Sequence, residues 1–128
     1  MSASTSNSSG VSDGEITDRC IALLKEGQAL ELHGDAPGAI GKYNEILALS
    51  QGVQDEKQRQ NIKGAAVGSL GSAYDSLGQY DKAIEHYNQA LAISREIGDR
   101  RGEGNHLGNL GSAYYSLGQN IHQRRKCY

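Results

Sequence analysis

The sequence predicts an all-α protein, an α-solenoid of stacked antiparallel helix-turn-helix units. Three observations carry that expectation. The stretch "LGSAYDSLGQ", Leu70 to Gln79, returns forty residues later as "LGSAYYSLGQ", Leu110 to Gln119, changed only where Tyr115 stands for Asp75. Apolar residues recur at steps of three and four, which places them on one face of a helix. Alternation of the strand type is absent. A repeat of that fidelity in 128 residues reads as a structural unit that buries its apolar face against the next one.

The period extends beyond the quoted stretch, since Gly64 and Gly68 match Gly104 and Gly108. A weaker upstream copy lies at an offset of forty-four, where Gly27, Gly34, Ala39, Ile40, Tyr43 and Leu47 equal Gly71, Gly78, Ala83, Ile84, Tyr87 and Leu91. The chain thus reads as about two and a half units over 14–119, namely 15–52, 56–98 and 100–119, between a Ser-rich segment 1–13 expected to be disordered and a divergent polar tail 120–128.

Each unit reads as two helices. The first stripe of the second unit is Val67, Leu70, Tyr74 and Leu77; its partner carries Ala83, Ile84, Tyr87, Ala90, Leu91 and Ile93. Gly34, Gly78 and Gly118 are expected to end helices in the left-handed conformation, and Gly52 and Gly98 to close the partner helices. Ser12 with Glu15 forms a possible capping box, and Asp35 precedes Pro37 as an N-cap. Helices are predicted at 15–33, 36–51, 56–77, 80–97 and 100–117. Gly27, Gly71 and Gly111 lie inside them at a cost of about 1 kcal/mol each against Ala, so a close helix contact, expected against Ala83 and Ala90, must offset it.

Composition narrows the function classes. A net charge of −2 and a pI near 6.1 supply no basic field for nucleic acid. With no Phe or Trp, a layered stack suits the chain better than one large core. Cys20 and Cys127 suggest no disulfide framework and fit a reducing compartment; with no secretory or membrane-spanning pattern, a cytoplasmic location is expected.

The residues Val67, Leu70, Gly71, Tyr74, Leu77, Gly78, Ala83, Tyr87 and Ala90 resemble the tetratricopeptide repeat, and the likeness covers about Glu15 to Gln119. The forty-residue period is similar to the long-repeat subclass that includes Pins-type adaptors and kinesin light chains. Glu26, His33 and Ile46 depart from the pattern in the first unit, as a terminal repeat does. After Gln119 the pattern calls for a second helix, and "NIHQRRKCY" stands there instead.

No convergent nucleophile, base or metal-ligand set is apparent, so no catalysis, cofactor or metal is expected. His86 reads as solvated and His106 as packing or surface. His122 with Cys127 makes two ligands, short of a zinc site. "GDRRGEG" lacks the Lys-Ser/Thr of a P-loop.

The resemblance implies a concave groove lined by the first helix of each unit. Its candidates are Lys25, Gln28 and Glu31; then Ala65, Ser69, Ser72 and Asp75 or Ser76; then Asn105, Asn109, Ser112 and Tyr115. Asn109 matches the asparagine that family members use to hydrogen-bond a ligand's backbone. The cationic clamp for chaperone tails is not implied, because its positions hold Leu24, Gln28, Ser69, Asn105 and Asn109. The expected function is a non-catalytic scaffold or adaptor that takes an extended or helical peptide of a partner protein, with no nucleic acid and no membrane. The alternatives are a repeat module of a larger signalling protein, a nucleic-acid-binding helical repeat, or a self-associating module whose Leu107, Leu110, Tyr114 and Leu117 lack a partner helix.

Overall fold

The structure, a computed structural model, describes residues 10–126, without the side chains of residues 123, 124 and 126. Most of the segment expected to be disordered lies outside the described residues. Five helices follow one another: α1 (Asp13–Leu32), α2 (Ala36–Ser50), α3 (Glu56–Ser76), α4 (Tyr80–Ile97) and α5 (Arg100–Lys126). Among the described residues there is no strand. Each helix packs on its neighbours in sequence. In addition α1 touches α3 and α3 touches α5, whereas α2 and α4 do not meet. The odd-numbered helices therefore crowd together on the inside of the curve and line a concave face.

Side chains set most of the helix starts. Ser12 and Glu15 form a reciprocal capping box on α1. Asp35 accepts the N–H of Gly38, with Pro37 in the first turn of α2. Asp55 caps α3 through Gln58, and Asp99 accepts the N–H of Gly102 at the start of α5. Gly34, Gly78 and Gly98 end the first, third and fourth helices with φ of +83°, +75° and +74°. Gly52 does not share this geometry. It lies in a turn at negative φ, donating to Leu49 O, and the chain continues into Val53, which is buried.

The turn between the units is tied down by polar contacts. The Asp13 carboxylate accepts the N–H groups of Gln54 and Asp55 at 2.8 and 3.0 Å, Gln58 donates to Thr17, and Arg59 donates to Val53 O. These bonds fasten the start of α1 to the start of α3. The core then divides in two. Ile16, Cys20, Leu23, Ala39, Tyr43, Ile46, Val53, Ala66, Leu70 and Ala73 fill the first half, and Ala83, Ile84, Tyr87, Leu91, Leu110 and Ala113 the second.

Two of the interior glycines, Gly71 and Gly27, have a different partner from the one expected, and Gly111 meets no described neighbour. A Cβ on Gly71 would fall 2.6 Å from Tyr87 Cδ1, and one on Gly27 would collide with Tyr43. The aromatic ring of the partner helix, not Ala83 or Ala90, fills the space that each glycine leaves.

The C-terminal helix also departs from expectation. Gly118 stays helical and α5 runs on to Lys126, so residues 120–126 of the expected polar tail lengthen that helix. Nor is its apolar stripe open along its whole length. Leu110 is buried against α4 and Leu117 packs beside it, while Leu107 and Tyr114 remain exposed.

Candidate functional site

The concave face is built from one side each of α1, α3 and α5. At its first junction the Tyr43 hydroxyl donates to Glu31 Oε1 at 2.6 Å, and Glu31 Oε2 accepts from the Ser72 hydroxyl at 3.1 Å. One carboxylate thus links the two helices of the first unit to α3. Burial, reinforced by the neighbouring carboxylate, holds the Tyr43 phenol protonated far above its ordinary range. The second unit repeats the motif: Tyr87 donates to Asp75 Oδ2 at 3.5 Å. Burial raises the Asp75 carboxyl above its usual value, and the bond from Tyr87 partly opposes this.

The structure thus divides the groove candidates. Ser72, Asp75 and Glu31 are half-buried and hydrogen-bonded to other parts of the chain. Ser69 is half-buried on α3. Lys25, Gln28, Asn105, Asn109, Ser112 and Tyr115 are exposed, Tyr115 at 69%. The face therefore presents exposed polar groups at its two ends around a middle where Glu31, Ser72 and Asp75 are engaged internally.

Between α1 and α3, on the same side, opens a small apolar pocket of about 70 Å³. Thr17, Cys20, Ile21 and Leu24 of α1 form one wall, Ile62, Ala65 and Ala66 of α3 the other, and Ile46 of α2 the floor. Ile21 stands at its rim and is 47% exposed. Of these residues only Ala65 was among the sequence candidates. The signal was present: Ile21 is an aliphatic residue outside the core stripe Ile16, Cys20, Leu23 and Gly27, and one turn before Lys25.

Two of the histidines, His86 and His106, pack against neighbouring side chains or backbone. His86 is half-buried rather than solvated: its ring lies 5.1 Å from that of Tyr74, and Lys82 Nζ sits over the Tyr74 ring, 5.4 Å from its centroid. His106 packs over Gly68 with a buried Nδ1 that has no hydrogen-bond partner, and burial lowers its pKa from the ordinary 6.5 against the opposing pull of Asp99. Among the described residues no group of three or more His, Cys, Asp or Glu could hold a metal ion. No described helix is long and apolar enough to cross a membrane.

Stacked helix pairs with a concave face of this kind define a helical-repeat protein. The family model described as "Tetratricopeptide repeat" matches residues 64–120, and this match, with the relatives and the fold below, supports a tetratricopeptide repeat protein. G-protein-signaling modulator 1 of Mus musculus, Rattus norvegicus and Homo sapiens is 38% identical over 84 residues, 66% of this chain. That match spans 12% of each relative's length. The crystal structure of the TPR domain of Arabidopsis FLU shares the fold with a TM-score of 0.71 at 24% identity, over 80% of this chain and 83% of that one. Tetratricopeptide domains generally mediate protein–protein interaction and are typically non-catalytic scaffolds.

Proposed function

We propose that the chain is an adaptor module that holds a peptide segment of a partner protein along its concave face. The observation that carries this reading is the apolar pocket between α1 and α3, set among exposed groups that can hydrogen-bond a peptide backbone. An aliphatic anchor side chain enters between Ile21 and Ala65, where burial of each methylene is worth about 0.8 kcal/mol. The exposed amides of Asn105 and Asn109 then fix the backbone, each offering donors and an acceptor. The ligand is extended or helical, with its aliphatic anchor toward the α1 end. The likeness to a signalling protein of which the match covers 12% favours a second, compatible reading, in which such a module works as part of a larger signalling chain.

The test is a proteome-derived peptide library displayed against the folded chain. Selected peptides should share one aliphatic position and should lose binding to Ile21→Arg and to Asn109→Ala. Peptides with no shared apolar anchor, or binding unaffected by both changes, would contradict the groove reading.

A further inference from the structure

The outer face of α5 carries a stripe that is complementary to itself. Gly104, Leu107, Gly111, Tyr114, Gly118 and Ile121 follow one another at steps of three, four, three, four and three. At 3.6 residues per turn they share an arc of roughly 100°. This arc is separate from the side that packs on α4 through Leu110 and Ala113. Small and large residues alternate along it. Leu107, Tyr114 and Ile121 are 47%, 55% and 42% exposed, and beyond the helix's own backbone no described atom lies within 4 Å of the Cβ position at Gly104, Gly111 or Gly118.

The same chain shows what such glycines receive. Gly64 and Gly71 are the α3 counterparts of Gly104 and Gly111; the first takes Ile93 and the second Tyr87 from the antiparallel α4. A helix that suits α5 must therefore run antiparallel and set an Ile over Gly104 and a Tyr over Gly111. In α5 itself Tyr114 and Ile121 have the seven-residue separation of that glycine pair. Laid antiparallel on a second copy, α5 pairs Gly104 with Ile121, Leu107 with Gly118 and Gly111 with Tyr114 in one register. Two-fold symmetry then repeats each contact, so all six positions match a large residue to a glycine.

We propose that this face is a homodimer interface, formed by antiparallel packing of α5 on α5 of a second copy. It continues the stack across the two-fold axis in the manner of the α3–α4 contact, and it leaves the concave face of each copy free. Gly118 permits it by remaining helical, because the chain then extends past Ile121 instead of turning back over the stripe. In this register Arg100 approaches Arg125 of the second copy at each edge, both exposed, so the dimer should tighten as added salt screens them.

Sedimentation of the 128-residue chain across micromolar to submillimolar concentrations tests the proposal. A reversible dimer is expected, and Gly111→Leu should weaken it about tenfold or more. Because the space over Gly111 is empty within one copy, this variant should keep or raise its helix content, which separates a lost interface from lost folding. Register is tested in a Cys127→Ser background by mixing Gly111→Cys with Tyr114→Cys chains. The mixture should form a disulfide-linked heterodimer faster than either variant links to itself. A chain that stays monomeric throughout, a dimer indifferent to Gly111→Leu, or faster linking within either single variant would overturn it.

Discussion

The ring of Tyr87 lies against the bare backbone of Gly71, and Tyr43 stands in the same relation to Gly27 one unit earlier. Each glycine lets a helix approach an aromatic ring that is almost wholly buried. Gly41, by contrast, is helical and exposed, with nothing within 4 Å of a Cβ position. The two sites should answer the same substitution with opposite signs. Gly71→Ala should lower stability by about 1–2 kcal/mol through overpacking, and Gly71→Leu by more. Gly41→Ala should raise it by about 0.5–1 kcal/mol through helix propensity. Chemical denaturation of the two alanine variants checks the pair.

The Glu31 carboxylate serves two hydroxyls on two different elements, Tyr43 and Ser72. Glu31→Ala should cost about 1–3 kcal/mol, since it strands a buried phenol without its acceptor. Adding Tyr43→Phe should recover part of that loss, because the stranded group is then gone. A double-mutant cycle by thermal unfolding reads the coupling, and strict additivity would show that the two groups do not interact energetically.

These two relationships also show where sequence reading reaches and where it stops. The stripes, caps and repeat period are legible because they are local, set by spacing along one helix or by residues three apart. The Tyr43–Glu31 bond crosses from one helix to the next and has no local signature. The turn glycines show the same limit. Gly78 and Gly118 share the context Ser-Leu-Gly-Gln, yet Gly78 turns the chain and Gly118 does not. After Gly78 come Ala83, Ile84 and Tyr87, whose burial against α3 and α5 makes the turn favourable; after Gly118 only Ile121 is aliphatic. Tertiary contact decides between two conformations that the local sequence allows equally. At the candidate site the repeat pattern names polar positions along α1, α3 and α5. The pocket could not, because its walls belong to two helices and its floor to a third.

Acidification should loosen the docking of α5. His106 is half-buried against Gly68 with its pKa lowered by burial, so its folded form disfavours the proton. Stability from a group depressed in this way is present above the unfolded value of 6.5 and is lost as pH falls below it toward the folded value. Hydrogen exchange of the α5 amides, corrected for intrinsic rates, should therefore speed up between pH 7 and 5. His106→Gln should remove the pH dependence; if it persists unchanged, His106 is not its source.

The loop between the units should fail at lower pH. Bonds from the Gln54 and Asp55 N–H groups lower the Asp13 carboxyl below its ordinary 3.8. Its contribution is complete above the unfolded value and disappears as pH drops through the folded one. Asp13→Asn should flatten the acid limb of the unfolding profile below pH 3.8 and leave neutral-pH helix content intact. An unchanged acid limb would assign that limb to other carboxyls.

Asn109 is exposed on α5, so truncating it should matter to a ligand and hardly at all to the fold. Asn109→Ala should change stability by no more than about 0.5 kcal/mol. Calorimetry with a selected peptide should show affinity falling by about three- to tenfold, the loss expected for one peptide hydrogen bond of about 1 kcal/mol. A large drop in melting temperature would instead make Asn109 a folding residue.

The face on which a partner lies can be read directly by NMR titration of the labelled chain with a selected peptide. Shifts should concentrate on Ile21, Leu24, Ala65, Ser69, Asn105 and Asn109, all on α1, α3 and α5, and leave the outward sides of α2 and α4 unmoved. Saturable shifts confined to α2 and α4, with the pocket residues silent, would contradict concave-face recognition.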